Sequence, residues 1–234
     1  MNLKTKVLAI IPARGGSKGL LKKNVRLLAG RPLIAHTIQH ALESGVCSTV
    51  LVSTEDQEIA DIAIEYGATV PFLRPLELAT DMTPTEPVLQ HALVTYEHQI
   101  GEQFDIVVFL QTTDVFRPTG IIRSCVNRLA SNEALDSVFS AYKTHKNFWR
   151  QTPDGWCRLA PELSYGPRQT REPLYREDTG IACATRAQII REGRRVGDSV
   201  EIIANDDPKT TIDIHDEFDL WIAEKIMTEW KNFR

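Results

Sequence analysis

Cysteine is scarce in this chain, and the few that occur lie far apart. They are Cys47, Cys125, Cys157 and Cys183. No two of them form a CxxC pair or a Cys/His spacing typical of zinc sites, which argues against a structural zinc. The pattern predicts buried or half-buried thiols in a reducing cytoplasm.

Long apolar runs and an excess of positive charge are missing as well. No stretch approaches the ~20 apolar residues of a membrane span. The short apolar run near the N-terminus leads into a charged glycine loop, which predicts a first strand and not a signal peptide. A formal net charge of −4 argues against a general nucleic-acid binder. The composition, 42% apolar over 234 residues, suits one α/β domain with a sizeable core.

Apolar runs alternate with segments of helical spacing along most of the chain. The predicted strands are 6–12, 49–54, 68–73, 105–111, 137–142, 180–185 and 200–204. The predicted helices are 32–45, 56–66, 85–99, 119–130 and 216–230. Repeated β-α-β order predicts an α/β fold with a mostly parallel sheet covered by helices on both faces. In the last helix, the spacing predicts that Phe218, Trp221, Ile222 and Ile226 face the core.

The alternation of predicted strands and helices stops between about 143 and 178. The segment is rich in proline, glycine, arginine and aromatic residues and shows no clean periodicity. A Pro-Asp-Gly turn at 153–155 predicts a hairpin within it. We therefore expect a single domain over 1–234 with an inserted subdomain. Exposed aromatics such as Trp149 and Trp156 favour an interface there, and a self-packed loop is the alternative.

A loop rich in glycine and positive charge follows the first strand, in AIIPARGGSKGLLKKN at 9–24. It lies at the carboxyl end of that strand, where ligands bind in open α/β sheets. Its glycine amides could surround an anion, and Arg14 and Lys18 add full charges. The pattern is neither a Walker loop nor GxGxxG, which argues against an NAD-dependent dehydrogenase. A plain surface turn with solvated cations is the alternative.

The loop sequence IPARGGSKGL followed by KKN closely resembles the N-terminal signature of the CMP-acylneuraminate synthetases, cytidylyltransferases that activate sialic acids. Further stretches are similar to the family in the same order. They are VSTED at 52–56, FLRPLELATD at 72–81, FLQTTDVFRP at 109–118, GPRQ at 166–169 and TIDIHDEFDLWIAE at 211–224. The resemblance implies a Rossmann-like three-layer nucleotidyltransferase fold. It also implies transfer of CMP from CTP to a 2-keto-3-deoxy sugar acid, with release of pyrophosphate.

The resemblance implies which residues hold CTP. Arg14 and Lys18 would neutralise the triphosphate, with Lys18 at the α-phosphoryl or leaving group. Hydrogen bonds would come from Ser17 and nearby amides, while Asn24 and Arg74 match nucleotide-holding positions. Thr85 lies where the family places a small hydroxyl residue near the base.

The metal motif departs from the family pattern. A divalent cation, Mg²⁺ or another, is expected, and the family supplies two aspartates from IDID. Here Asp213 is present, but His215 replaces the second aspartate and is a poor magnesium ligand. Asp213 could act alone through waters, Asp216 could be shifted into place, or Asp114 could contribute. Asp216 could instead be a helix N-cap, and His215 a surface or capping residue.

The sugar side departs as well. Arg168 and Gln169 match the family's PRQ and suit a sugar carboxylate, and Gln111 lies where both substrates would meet. Asp178, however, stands near an expected asparagine, and Asp114 replaces a serine. These departures suggest a bacterial nonulosonate other than N-acetylneuraminate.

The resemblance also implies a homodimer in which the insert borders the partner's sugar site. A CMP-Kdo-type synthetase is the alternative enzyme, and a CTP-binding homologue without catalysis is the alternative from another class.

Overall fold

The computed structural model describes residues 5–163 and 165–230. Its strands are β1 Val7–Pro12, β2 Leu27–Leu28, β3 Arg31–Pro32, β4 Thr49–Ser53, β5 Ile106–Phe109, β6 Ser137–Thr144, β7 Trp149–Thr152, β8 Gly155–Arg158, β9 Leu174–Glu177, β10 Cys183–Arg186 and β11 Val200–Asn205. Its α-helices are α1 Leu33–Glu43, α2 Gln57–Glu65, α3 Thr85–Ile100, α4 Ile121–Ser131, α5 Ala187–Arg191 and α6 Glu217–Glu229. Short 3₁₀ turns cover Lys23–Val25, Leu76–Leu78 and Pro208–Thr211.

A seven-stranded sheet forms the middle layer, in the order β11-β6-β10-β5-β1-β4 with β9 added beside β6. The pairs β1–β4, β1–β5 and β6–β11 are parallel. Strand β10 runs antiparallel between β5 and β6. The predicted α/β fold with a mostly parallel sheet is confirmed, with β10 and β9 as its antiparallel members.

Both faces of the sheet are covered, because successive side chains of a strand point to opposite sides. Ala9 and Ile11 of β1 pack with α1, α2 and α4 on one face. Leu8 and Ile10 pack with α3 and α5 on the other face. The three-layer arrangement brings the carboxyl ends of β1, β4 and β5 to one edge of the sheet, which is where the predicted binding loop begins.

Two predictions about regular elements are wrong. The segment 68–73 forms one isolated bridge, between Thr69 and Leu51, and no strand. Pro71, which has no N–H to donate, prevents the ladder from continuing. On α6 the buried residues are Leu220 and Ala223, while Phe218 and Trp221 are exposed and stack on each other. The other two residues predicted to face the core, Ile222 and Ile226, are half-buried.

The irregular segment 143–178 contains the predicted hairpin, formed by β7 and β8 as a separate two-stranded sheet. Strand β9, at the end of the segment, pairs with the extension of β6. Large apolar side chains of the hairpin are exposed, notably Trp149 and Trp156. Among the residues described, no helix is both long and apolar enough to cross a bilayer.

A buried histidine gives the fold a predictable response to acid. His40 of α1 lines a cavity of about 260 Å³ together with Arg117, which lies in the loop before α4. Burial, together with the nearby charge of Arg117, lowers the pKa of His40 to about 4. In the unfolded chain His40 has a pKa near 6.5. The unfolded chain therefore binds a proton at this residue at a higher pH than the folded chain does.

We expect His40 to make the folded state lose stability as the pH falls from about 6.5 to 4. A shift of this size corresponds to at most about 3 kcal/mol, at about 1.4 kcal/mol per pKa unit. Urea unfolding of the wild type and His40→Gln at pH 7.5 and 4.5 measures it. The stability difference between the two proteins should move in favour of His40→Gln at low pH. An unchanged difference would contradict the prediction.

Candidate active site

The loop after β1 is fixed by hydrogen bonds of its backbone. Ala13 donates its N–H to Ser53 O at 3.0 Å, joining the loop to the end of β4. The Gly15 N–H donates to Glu55 Oε1 at 2.7 Å. Gly19 lies so close to the backbone carbonyl of His215 that a Cβ there would stand 2.6 Å from the oxygen. The loop therefore touches the segment that carries the predicted metal motif.

The two predicted phosphate-binding cations converge on one carboxylate. Asp81 accepts Arg14 Nη2 at 2.8 Å and Lys18 Nζ at 2.5 Å. The hydrogen bond from Lys18 is the largest cause that lowers the pKa of Asp81 below its ordinary value. The Lys18 side chain is 82% exposed, so its contact with Asp81 is what holds its ammonium group near the Arg14 guanidinium. Sequence reasoning missed Asp81.

A cavity of about 520 Å³ opens beside this loop. All six residues predicted to bind CTP line it, and they are Arg14, Ser17, Lys18, Asn24, Arg74 and Thr85. We call it the loop cavity. Its wall also contains a further cation, Lys23, whose Nζ donates to Ile214 O at 3.2 Å and whose pKa is lowered by burial. Lys23 was not predicted, although the KKN that follows the loop was the signal for it.

Two of the predicted nucleotide residues are engaged in the fold. Asn24 donates to Arg14 O at 2.8 Å and accepts Thr112 Oγ1 at 2.7 Å. Arg74 is buried and pairs with Glu55 at 2.7 Å. Because Glu55 also accepts the Gly15 amide, its carboxylate connects Arg74 to the loop. Asn24, Arg74 and Glu55 therefore set the shape of the loop.

A second, smaller cavity of about 270 Å³ adjoins the first, and Gln111 lines both. We call it the acidic cavity. Its walls are Gln111, Asp114, Arg176, Glu177, Asp178, Thr179, Gly180 and Asp213. The sequence predictions Gln111, Asp114, Asp178 and Asp213 thus come together, although they lie on three separate segments of the chain.

The carboxylates of the acidic cavity influence one another. Burial raises the pKa of Asp114 to about 7, with Arg117 opposing and the charges of Asp213 and Asp178 adding to the rise. Burial also raises the pKa of Asp178, against a hydrogen bond from Arg176 Nε at 2.8 Å. Buried oxygens of Asp178 (Oδ2) and Asp213 (Oδ1) have no hydrogen-bond partner within the described ranges. The cavity can therefore accept a cation or hydrogen-bond donors.

The polar side chains of the segment 213–216 make two kinds of contact, a side-chain pair and a helix cap. Asp213 Oδ2 lies 2.8 Å from Nε2 of His215. Asp216 is the N-cap of α6, where its carboxylate accepts the amides of Phe218 and Asp219 in a capping box. The N-cap alternative for Asp216 is confirmed. Among residues 5–163 and 165–230 no group of three or more acidic, His or Cys side chains is already arranged around a metal position.

Arg117 supports the wall shared by the two cavities. It is buried and donates to the carbonyl oxygens of Gln111, Gly180 and Ile181 and to the Thr37 hydroxyl. Burial lowers its pKa to about 10, so it stays charged at neutral pH. Sequence reasoning missed Arg117, since nothing in the local pattern shows four partners from other parts of the chain.

Arg168 and Gln169 lie outside both cavities. Both side chains are exposed in the segment between β8 and β9. Neither is among the residues that line the loop cavity or the acidic cavity. Within one chain, the predicted sugar-carboxylate residues are therefore separated from Gln111 and Asp178.

Gly180 allows a close approach in the acidic cavity. A Cβ at this position would collide with Asp114 Oδ2 and with the Gln111 amide. We expect Gly180→Ala to displace both side chains. KM for the sugar acid that the resemblance implies should rise about tenfold or more, while KM for CTP should stay within about twofold. Steady-state kinetics with each substrate varied in turn measures the split. Equal changes in the two KM values would contradict the expectation that the sugar acid binds in the acidic cavity.

Comparison with known proteins identifies a family that matches this chain. The family model described as "Cytidylyltransferase" matches residues 8–152. The CMP-N,N'-diacetyllegionaminic acid synthase of Legionella pneumophila is 37% identical over 226 residues, which cover 95% of this chain and 96% of that protein.

The chain belongs to the cytidylyltransferase family.

One further curated protein and one solved structure are similar to this chain. The N-acylneuraminate cytidylyltransferase of Escherichia coli is 38% identical over 144 residues, 62% of this chain and 33% of that protein. Among solved structures, a CMP:2-keto-3-deoxy-manno-octonic acid synthetase complexed with CTP shares the fold with a TM-score of 0.71. At 14% identity, that structure covers 97% of this cytidylyltransferase and 100% of its own chain. The family resemblance predicted from the sequence motifs and the nucleotidyltransferase fold are confirmed.

Proposed function

We propose that this cytidylyltransferase activates a sialic-acid-like nonulosonate with CTP, giving a CMP-sugar and pyrophosphate. The anomeric oxygen of the sugar forms a bond to the α-phosphorus. The bond between that phosphorus and the oxygen leading to the β-phosphate breaks, and pyrophosphate leaves with the electron pair. The proton of the anomeric hydroxyl passes to solvent.

The observation that supports this function best is the junction of the two cavities at Gln111. The loop cavity presents Arg14, Lys18 and Lys23 to an anionic substrate. The acidic cavity presents acceptors to a hydroxyl-rich one. A reaction between two bound substrates requires their reacting atoms to be held about 3 Å apart, and adjoining cavities with a common residue suit that requirement.

CTP would occupy the loop cavity. Arg14 and Lys18 would exchange Asp81 for phosphate oxygens and neutralise the charge that develops on the leaving pyrophosphate. Ser17 and the loop amides would donate hydrogen bonds to the phosphates. Thr85, at the first turn of α3, would contact the base. Asn24 and Arg74 would keep the loop in shape through the contacts described above.

The residues around Asp213 fit a divalent cation. Asp213 Oδ1 is buried and has no hydrogen-bond partner among the described residues, and the Asp114 carboxyl lines the same cavity. Mg²⁺ commonly takes one or two carboxylates together with substrate phosphates and waters. We propose Asp213 as one ligand of the ion and Asp114 as a candidate for a second ligand. The ion would neutralise phosphate charge. His215 would orient Asp213, and Asp216 would remain the helix cap.

The sugar acid would occupy the acidic cavity, with Gln111 and Asp178 as contacts. Arg168 and Gln169 could reach it only from a partner subunit, which supports a homodimer formed through the segment 143–178. Light scattering at micromolar concentration tests the dimer. Mixing Arg168→Ala with Asp213→Asn subunits tests the shared site, because each mixed dimer would contain one intact site. Absence of restored activity in a confirmed dimer would contradict the shared site.

Pyrophosphate release from CTP and Mg²⁺ with a panel of eight- and nine-carbon 2-keto-3-deoxy acids tests the function. We expect turnover with a nine-carbon acid. Turnover restricted to the eight-carbon acid would show the CMP-Kdo-type alternative, and CTP binding without turnover would show a non-catalytic homologue. The identity to the Legionella pneumophila synthase favours the nonulosonate. A cytoplasmic location is proposed because CTP is made there.

A further inference from the structure

We propose that the Asp81 carboxylate competes with phosphate groups for Arg14 and Lys18, and that it thereby weakens the binding of CTP and of pyrophosphate by about the same factor. This inference rests on the proposed function and concerns the release of its second product. Asp81 acts on the ligands only through the two cations. It is therefore a positioning residue that helps to free pyrophosphate from the loop once the bond to the α-phosphorus has broken.

Asp81 presents one oxygen to each cation, as a bridging phosphate group would. Its Oδ1 accepts Arg14 Nη2 at 2.8 Å, and its Oδ2 accepts Lys18 Nζ at 2.5 Å. All three side chains line the loop cavity. The hydrogen bond from Lys18 lowers the pKa of Asp81, so the carboxylate is ionised at neutral pH. An anionic ligand that uses these two donors must displace the carboxylate.

The carboxylate belongs to a different segment from the cations, and that segment is held by its own hydrogen bonds. Asp81 lies between the 3₁₀ turn Leu76–Leu78 and α3, across the cavity from the loop that follows β1. Thr83 donates its N–H to Thr80 O at 3.3 Å, and the hydroxyl oxygens of these two threonines lie 2.7 Å apart. The turn keeps this shape without the ion pairs. Asp81 therefore stays beside the cavity when a ligand has taken its cations.

The difference in charge determines which anion is bound. A triphosphate brings several negative charges and many acceptor oxygens against the single charge of Asp81, so it displaces the carboxylate. Pyrophosphate keeps enough charge after the reaction to stay on the same cations. Asp81 opposes this, because it is part of the chain and is always at hand to take the cations back.

The size of the effect follows from the fraction of molecules in which the cations are available. When only part of the protein is competent to bind, the apparent affinity for a ligand falls by that fraction. A pairing of Asp81 with its cations in about nine-tenths of the unliganded molecules weakens the binding of CTP and of pyrophosphate by about tenfold. A ligand without phosphate groups is not affected, because it leaves the ion pairs intact.

Calorimetric binding of CTP, pyrophosphate and cytidine to the wild type and to Asp81→Asn tests the proposal. We expect Asp81→Asn to bind CTP and pyrophosphate about five- to tenfold more tightly, and cytidine with unchanged affinity. Asp81→Ala should show the same gain, which covers the case that an asparagine keeps a hydrogen bond to either cation. In steady-state kinetics, KM for CTP and the inhibition constant of pyrophosphate should fall together, whereas damage to the loop would raise both.

Two further variants separate this competition from a general effect of charge. Glu58→Gln removes a carboxylate that pairs with Lys22 at 2.6 Å on the surface and is not among the described residues that line the loop cavity. It changes the net charge as Asp81→Asn does, and it should leave all three affinities within about twofold. In a Lys18→Met background, which lacks one of the two ion pairs, the gain from Asp81→Asn should shrink to about half or less, because the two residues are coupled.

Weaker binding of CTP and pyrophosphate by both Asp81 variants would show that Asp81 holds the cations ready for phosphate, and would overturn the proposal. Unchanged affinities, or an equal gain for cytidine, would overturn it as well. Failure of the proposed function is a separate result. If no sugar acid were turned over, that function would be wrong, and the binding of pyrophosphate to the unliganded protein would still decide the role of Asp81. If neither CTP nor pyrophosphate bound to any of these proteins, both proposals would be wrong.

Discussion

Replacing Lys18 by methionine is expected to lower kcat/KM for CTP by about three orders of magnitude while leaving the fold unchanged. A charged donor aimed at developing negative charge typically contributes on the order of 10²–10³ to turnover. Among the described residues, three lysine and arginine side chains line the loop cavity besides Arg74, which pairs with Glu55, and Lys18 is one of them. Its ammonium group has Asp81 as its ion-pair partner and is otherwise exposed, so its loss removes no core contact.

The matched control is Lys22→Met, four positions further along the same segment. Lys22 pairs with Glu58 on the surface and does not line the loop cavity. Its replacement should change kcat/KM less than about threefold, because Lys22 makes no contact with the cavity in which CTP is proposed to bind. Both variants should unfold at the wild-type urea concentration. A Lys18→Met enzyme with near wild-type turnover would remove Lys18 from the catalytic step and leave Arg14 and Lys23 as the phosphate ligands.

What the sequence predicts well here is local. The loop at 13–19 was recognisable because its glycines and cations stand next to each other after an apolar strand. The helix caps at Asp56 and Asp216 follow from short-range hydrogen bonds to amides two or three residues ahead. The alternation of buried strands and helices predicts the layers because burial on both faces leaves a repeating pattern.

What the sequence misses depends on distant partners. Asp81 meets Lys18 across 63 positions of the chain, and no periodicity reveals such a pair. The prediction of which α6 side chains face the core was wrong because apolar residues occur on more than one face of that helix. Packing against β2, which contains Leu28, determines which face is buried. The antiparallel direction of β10 was not predicted either, since direction depends on how the chain returns from the segment 143–178.

Arg117 is the second residue for which we expect a large effect, and the effect is on stability. Its guanidinium satisfies the carbonyl oxygens of Gln111, Gly180 and Ile181 in the interior, together with the Thr37 hydroxyl. Arg117→Met keeps the aliphatic stem and removes the charged donor from all four acceptors, although Gly180 O still accepts the Gln111 N–H and Gln111 O still accepts the Thr37 hydroxyl. Because a hydrogen bond to a charged group contributes about 1.5–3 kcal/mol, we expect the loss of these bonds to cost about 3–5 kcal/mol. For a domain of this size that lowers Tm by about 10 °C.

Urea and thermal unfolding of Arg117→Met measure this loss, with Arg128→Met as the control on the following helix. Arg128 is 63% exposed in its pair with Glu201, so its replacement should change stability by less than about 1 kcal/mol. Because Arg117 holds the backbone on both sides of the wall between the two cavities, the folded fraction of Arg117→Met should also show a raised KM for the sugar acid. Wild-type stability in Arg117→Met would mean that the four acceptors find other donors. The wall between the cavities would then not depend on this arginine.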